Sequence, residues 1–211
     1  MKPMNESPVK AVLGMNGKGE KILLDFERTA HLIIGGGMPE ERQRLAERIM
    51  RDVAEAEVVW MHDFGELQTM KGEVERRLAL LHAEGCRDLK EHACKTGKRV
   101  KHLMCFADSA CLLNERNKEE LMRCMEHLGP FGRHTGVHLV LLCDTLVPNW
   151  IRQYIPGRIA FRTKTCQESM SILDAEGAEL ISEKHVFMFT EDGEMAEMIQ
   201  PDIGKKQKEN E

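Results

Sequence analysis

Leu32-Ile33-Ile34 runs straight into Gly35-Gly36-Gly37, and an amphipathic pattern starts directly afterwards with Met38-Pro39-Glu40-Glu41-Arg42-Gln43. An apolar strand, a glycine turn and a helix start, in that order, form the frame of a phosphate-binding loop. In such a loop backbone N–H groups and a lysine hold anionic oxygens, and the working spacing is G-x-x-x-x-G-K-[ST]. With Gly36 as the first glycine, the second falls on Glu41, the lysine on Arg42 and the hydroxyl residue on Gln43. The frame is present, but only one of its defining side chains is.

Each change acts against anion binding. A second glycine lets the backbone come close to the phosphates; Glu41 puts a carboxylate there. About 4 Å from a phosphate oxygen, in an effective dielectric near 20, the repulsion is roughly 4 kcal/mol per pair of unit charges. Glu40 lies beside it. Pro39 removes one backbone N–H from the loop. Arg42 keeps a positive charge, as a broad fork rather than a point charge. Gln43 lacks the hydroxyl that would hold Mg²⁺. The residues from Gly36 and Gly37 through Met38 to Gln43 therefore predict little or no triphosphate binding, with no cofactor expected and Mg-ATP bound only if the loop still closes around it. The plainer reading is that Gly35 to Gly37 form a flexible turn.

The elements that must position this loop read as alternating strands and helices. Val9 to Leu13 and Lys21 to Asp25 alternate around Asn16-Gly17-Lys18-Gly19 as a hairpin. Leu32 to Gly35 reads as a buried strand, Glu40 to Ala56 as a helix and Glu57 to His62 as a strand. Helices are predicted over Gly72 to Glu84, capped by Gly85, and over Asp88 to Lys95. Strand follows at His102 to Ala107 and helix at Lys118 to His127. Val137 to Cys143, reached through Gly132 to Gly136, is the most apolar strand. A short helix at Pro148 to Tyr154, a strand at Arg158 to Thr163, a helix at Cys166 to Asp174 and a hairpin of His185 to Thr190 with Glu194 to Ile199 complete the pattern. This alternation predicts an α/β fold with a mostly parallel, twisted sheet covered on both faces and closed by terminal β-hairpins. Residues 1–8 read as an extension, 9–203 as one domain and 204–211 as a charged, disordered tail.

Composition bounds the function. The 211 residues are 42% hydrophobic but only 5% aromatic, so aliphatic residues and fourteen Met must fill the core. No apolar run approaches the roughly 18 residues of a membrane span, and the first eight residues lack the apolar stretch of a signal peptide. Seven cysteines without regular spacing read as reduced, cytoplasmic thiols. A net charge of −5 argues against a strong stand-alone nucleic-acid binder, though not against one basic face. Lys98, Arg99 and Lys101 form the best basic cluster, either a contact for a phosphate backbone or a solvated turn. His82 and Cys86, followed by His92 and Cys94, lack any supporting C-x-x-C or H-x-x-x-H, so no metal is expected.

Four blocks, in order, resemble the RecA-like domain of the FtsK/SpoIIIE DNA translocases, which conjugation and type VII secretion ATPases share. A-H-L-I-I-G-G (Ala30 to Gly36) is similar to that family's P-H-L-L-[VI]-A-G run into its phosphate loop. E-V-E-R-R-L-A-L-L-H-A-E-G-C-R-D-L (Glu73 to Leu89) resembles its E-M-E-R-R-Y helix. G-R-H-T-G-V-H-L-V-L-L-C-D-T-L (Gly132 to Leu146) resembles G-R-A-x-G-I-H-L-[VI]-L-A-T-Q-R-P. I-P-G-R-I-A-F-R-T (Ile155 to Thr163) is nearly identical to I-P-x-R-I-A-F-R-V and leads into E-S-M-S-I-L-D-A-E-G-A-E-L (Glu168 to Leu180). The resemblance spans Val9 to Pro201 and implies a RecA-like P-loop NTPase fold.

The departures fall at the catalytic positions. The family's acidic strand motif ends in D-E; here it is Met104-Cys105-Phe106-Ala107-Asp108-Ser109. Asp108 keeps the magnesium-linked carboxylate, while Ser109 replaces the glutamate that would polarise the attacking water. Asp144 replaces the γ-phosphate-sensing glutamine. Between Asp63 and Glu73 about a strand's length of family sequence is missing. By the resemblance, Arg133, Arg158 and Arg162 lie near a neighbouring subunit's nucleotide; the plainer reading makes them ordinary surface arginines. The resemblance with these losses implies a pseudo-ATPase. It would assemble with copies of itself or with a related active translocase, as an assembly or regulatory partner in DNA translocation, segregation or conjugation. Two alternatives stand: a divergent DNA-dependent ATPase completed by a partner subunit, and a non-catalytic DNA-binding module that grips DNA weakly alone.

Overall fold

A computed structural model describes residues 7–53, 55–113, 116–144, 146–182, 187–191 and 197–200. The expected tail 204–211, most of the expected extension 1–8 and the turn of the expected closing hairpin lie outside these. Among the described residues the elements run β1 (Lys10–Asn16), β2 (Lys21–Asp25), β3 (Leu32–Gly35), α1 (Pro39–Asp52), β4 (Glu57–Met61), α2 (Phe64–Ala83), α3 (Leu89–Thr96) and β5 (Leu103–Asp108). They continue with α4 (Ser109–Leu112), α5 (Lys118–Thr135), β6 (Val137–Cys143), α6 (Asn149–Arg152), β7 (Gly157–Phe161), α7 (Cys166–Leu173), a 3-10 turn (Ala178–Leu180), β8 (Phe187–Thr190) and β9 (Glu197–Gln200).

All nine strands form one sheet in the order β2-β1-β9-β8-β7-β3-β6-β5-β4. The five strands from β7 to β4 are parallel, with β3 between β7 and β6. The two predicted hairpins supply the antiparallel remainder, because tight turns join strands only in that sense. Strand β6 is buried along its whole length, as a central parallel strand with helices on both sides should be. Alternate residues of β3 feed two cores. Leu32 and Ile34 meet Leu45 and Ile49 of α1 and the β1–β2 hairpin, whereas Ile33 meets Val74 of α2, Leu121 and Leu128 of α5 and Ile172 of α7. This is the expected α/β fold.

Helix α1 ends at Asp52 rather than Ala56, the short α4 was not expected, and α2 and α5 depart furthest from the sequence reading. Helix α2 begins at Phe64 rather than Gly72, because Asp63 accepts the Glu66 N–H at 3.2 Å while the Glu66 carboxylate accepts the Asp63 N–H at 3.3 Å. This reciprocal cap outweighs the helix-weakening Gly65 and Gly72. Strand β4, which precedes α2, lies at the edge of the sheet. Helix α5 runs through Gly129 and Pro130 to Thr135 instead of stopping at His127. Gly132 is therefore a close-approach residue rather than a loop residue: a Cβ there would lie 2.6 Å from the His31 ring.

Candidate functional site

Gly36 and Gly37 leave β3 with φ of +67° and +58°, a left-handed pair that side chains disfavour. A Cβ on Gly36 would lie 2.5 Å from the Phe161 carbonyl oxygen, and one on Gly37 2.6 Å from Phe161 Cβ. The turn is thus pressed against the end of β7, and the Gly37 N–H donates to the Arg162 carbonyl at 2.8 Å. Met38 then takes an extended conformation and caps α1, with Pro39 as the first helical residue.

The side chains that replace the working motif close the loop on itself. Glu41 Oε2 accepts the Met38 N–H at 2.9 Å, so a carboxylate of the chain occupies an amide at the positive end of α1. Arg42 is buried, at 6% exposure, and donates through Nη1 to the carbonyls of Gly36 at 2.7 Å and Gly37 at 3.2 Å. Gln43 is exposed and donates to Glu47 at 3.1 Å, one turn along the helix. Glu40 is exposed at the helix start.

Asp108 and Asp144 are brought to the same end of the sheet. Asp108 is the last residue of β5 and registers with Leu142 of β6, two residues before Asp144. Ser109, buried, donates its hydroxyl to Asp144 Oδ1 at 2.9 Å. Between them Cys143 is buried, and burial pushes its thiol up to about 12; the nearby Arg42 charge opposes this while Asp144 and Asp108 add to it. One thiol thus feels the loop arginine and both carboxylates. The expected loop, acidic strand end and sensor position do converge at the C-terminal ends of β3, β5 and β6, where open α/β sheets bind ligands.

The three arginines do not form one cluster. Arg162 is exposed, and its carbonyl adjoins the glycine turn. Arg158 is half-buried, donates to the carbonyls of Ile155 at 3.2 Å and Leu173 at 3.4 Å, and stands 4.0 Å from Asp174. Burial first, and then Arg152, holds its pKa below the usual arginine range. Arg133 is exposed on the last turn of α5, before β6 begins. Lys98, Arg99 and Lys101 are exposed on the loop into β5, at the opposite end of the sheet from the glycine turn. Among the described residues no group of three or more His, Cys, Asp and Glu is arranged to hold a metal ion, and no helix is long and apolar enough to cross a membrane.

No family model matches the chain. Among curated proteins it is similar to DNA translocase FtsK of Treponema pallidum, 26% identical over 83% of this chain and 27% of that protein. It is also similar to DNA translocase SftA of Bacillus subtilis, 22% identical over 90% of the chain and 24% of that protein. The chain thus spans about a quarter of the length of these relatives. In fold it superposes on the pCW3 conjugation coupling protein TcpA, solved as a monomer with ATPγS, at a TM-score of 0.80. That match has 17% identity and covers 94% of this chain and 67% of that one. The chain is similar in sequence to FtsK/SpoIIIE-type DNA translocases, and its fold is that of a RecA-like P-loop ATPase domain.

Two polar features of the structure escaped sequence reasoning. One is the Glu41 cap, whose signal was the spacing of Met38 and Glu41 across the first helical turn. The other is a buried polar network of His31, His102, His138 and Arg77 at the far end of the sheet. Its signal was a histidine inside or beside each of three apolar strands.

Proposed function

We propose that this FtsK/SpoIIIE-type domain is a pseudo-ATPase, retained for its shape and contacts, that works as an assembly or regulatory partner of copies of itself or of a related active translocase. The process it serves is DNA translocation, segregation or conjugation, in the cytoplasm. One observation carries the reading: the loop's polar groups are engaged by the chain itself, through Glu41 on the Met38 N–H and Arg42 on the Gly36 and Gly37 carbonyls. A triphosphate would have to expel the Glu41 carboxylate from the amide it holds and then sit beside it. The residues present therefore do not fit Mg-ATP. Ser109, which replaces the water-polarising glutamate, is buried and committed to Asp144.

Thermal melting with Mg-ATP and a phosphate-release assay, each with and without double-stranded DNA, test this. The expected result is no melting shift and no release above background; a shift of several degrees overturns it. The second reading, a divergent DNA-dependent ATPase, draws support from Arg42 and Asp108 lying at one end of the sheet. It requires DNA-stimulated turnover that Arg42→Ala or Asp108→Ala abolishes. The exposed Lys98, Arg99 and Lys101 support a weak contact with a DNA backbone, as a property of the partner role or as the whole function.

A further inference from the structure

Three imidazoles lie buried at the end of the sheet opposite the glycine turn, and their hydrogen bonds fix where each proton sits. His138 Nδ1 is 2.8 Å from the Ala30 carbonyl oxygen. A carbonyl only accepts, so Nδ1 carries the hydrogen and Nε2 is bare. His102 Nδ1 lies 2.9 Å from that bare nitrogen and donates to it, with the two rings stacked at 5.2 Å. His102 Nε2 is then bare in turn, 3.8 Å from Glu27 Oε1 and beyond hydrogen-bond length. His31 is the opposite tautomer: Nδ1 accepts the Leu139 N–H at 3.0 Å and Nε2–H donates to the Leu128 carbonyl at 2.8 Å. Both its nitrogens are used.

The charges around this line come from every element packed on it. Arg77 of α2, held by Glu73 at 2.6 Å and by the Thr135 and Gly136 carbonyls at 2.8 and 3.1 Å, disfavours a proton on His102 and on His138. Asp25 favours one on His102. Glu27 sits among Asp25, Lys90 of α3, Lys10 of β1 and the Ser7 hydroxyl. His31 adds to the pressure against a charge on His138. Edge strand β4 meets His102 through the backbone N–H of Glu57, which donates to its carbonyl at 2.8 Å.

We propose that the line from Ala30 through His138 and His102 to Glu27 is a proton-responsive clamp on the segment 26–30, which accepts one proton with its hydrogen bonds intact and opens on the next. The first proton, from solvent, binds His102 Nε2. His102 Nδ1–H still donates to His138, and the 3.8 Å gap to Glu27 becomes an ion pair. The second proton must bind His138 Nε2, the atom that accepts from His102. That bond breaks, and two imidazolium rings face each other beside Arg77. The segment leading into β3, and through it into the glycine turn, then loses its hold on β6. Burial holds His102 down to about 4 and His138 well below its ordinary value, so both rings are neutral near neutral pH.

The test is ¹⁵N NMR of the histidine rings of the full chain, titrated downward from neutral pH, with amide exchange followed over residues 26–30. At neutral pH, His102 and His138 should both carry hydrogen on Nδ1 and His31 on Nε2. On acidification His102 should become imidazolium before His138 while the amides stay protected, and protection should fall with the second step. Glu27→Gln should lower the His102 midpoint by roughly half a pH unit or more. Hydrogen on Nε2 of His138, His138 titrating first or together with His102, or an unmoved His102 midpoint in Glu27→Gln each overturns the clamp. If Glu27→Gln does not fold, the ring tautomers and titration order of the unmodified chain decide.

Discussion

At the C-terminal ends of β3 and β5 the polar side chains bond mostly to near neighbours: Glu41 to Met38, and Arg42 to Gly36 and Gly37. At the N-terminal ends His31, His138 and Arg77 bond to Leu128, Ala30 and Thr135, which lie 97, 108 and 58 positions away. The first end is a loop repaired within one helical turn, so its chemistry can be lost by a few substitutions while the sheet stands. The second end is a seam that joins β3, β5, β6, α2 and α5, and altering it alters the fold. The difference explains how substitutions in the glycine loop leave a RecA-like scaffold intact.

The largest effect that would break this contrast lies at the seam. His138→Ala should destabilise the domain by roughly 3–5 kcal/mol, combining a buried cavity with an unpaired Ala30 carbonyl and His102 N–H. Denaturant unfolding of the variant measures it, and a loss below about 1 kcal/mol would mean the seam does not hold the fold. Acid should act on the same residues. Burial holds His31 and His102 down to about 4 and His138 well below the usual range. Each is neutral in the fold, whereas the unfolded chain protonates below about 6.5. The unfolded state thus binds more protons between those limits, and stability falls as pH falls through them. His31 alone should remove about 3 kcal/mol by pH 4. Denaturant midpoints at pH 7, 5.5 and 4 check this; equal midpoints contradict it.

At the other end, Gly36→Ala should cost about 2 kcal/mol or more, because φ of +67° is strained for any side chain and the new Cβ meets the Phe161 carbonyl oxygen. The effect should be local: amide exchange should rise over the turn and the first residues of α1, and not over residues 26–30. Parallel loosening of both regions would erase the distinction between loop and seam.

What could be read from sequence follows the same division. The hairpin around Asn16 to Gly19, the apolar β3, β5 and β6 and the glycine turn were legible because each is set within a few residues. The departures of Glu41 and Gln43 from the phosphate-loop pattern were legible too, since each is a matter of residue type at its own position. The start of α2 was written locally in Asp63 and Glu66, but the glycines at 65 and 72 masked it. Helix α5 running past Pro130 was not written locally at all. Its last turns are held by the Gly132 approach to His31, and their propensity points the other way. The histidine line was hidden for the same reason, because nothing in the spacing of Ala30, His102 and His138 shows that β5 and β6 lie side by side.

The smallest stability effect belongs to a third polar region, the exposed loop of Lys98, Arg99 and Lys101. Here neither local repair nor a buried seam is present, and Lys98→Ala/Arg99→Ala should change stability by less than about 0.5 kcal/mol. Its use is to separate a solvated turn from a polyanion contact. If these cations touch a DNA backbone, the double variant should weaken binding equally for unrelated sequences and reduce the slope of log affinity against log salt by about 2. Fluorescence anisotropy with double-stranded DNA over a range of salt measures both. Unchanged affinity and slope would assign the loop to solvent and leave the domain's DNA contacts, if any, to the complex it joins.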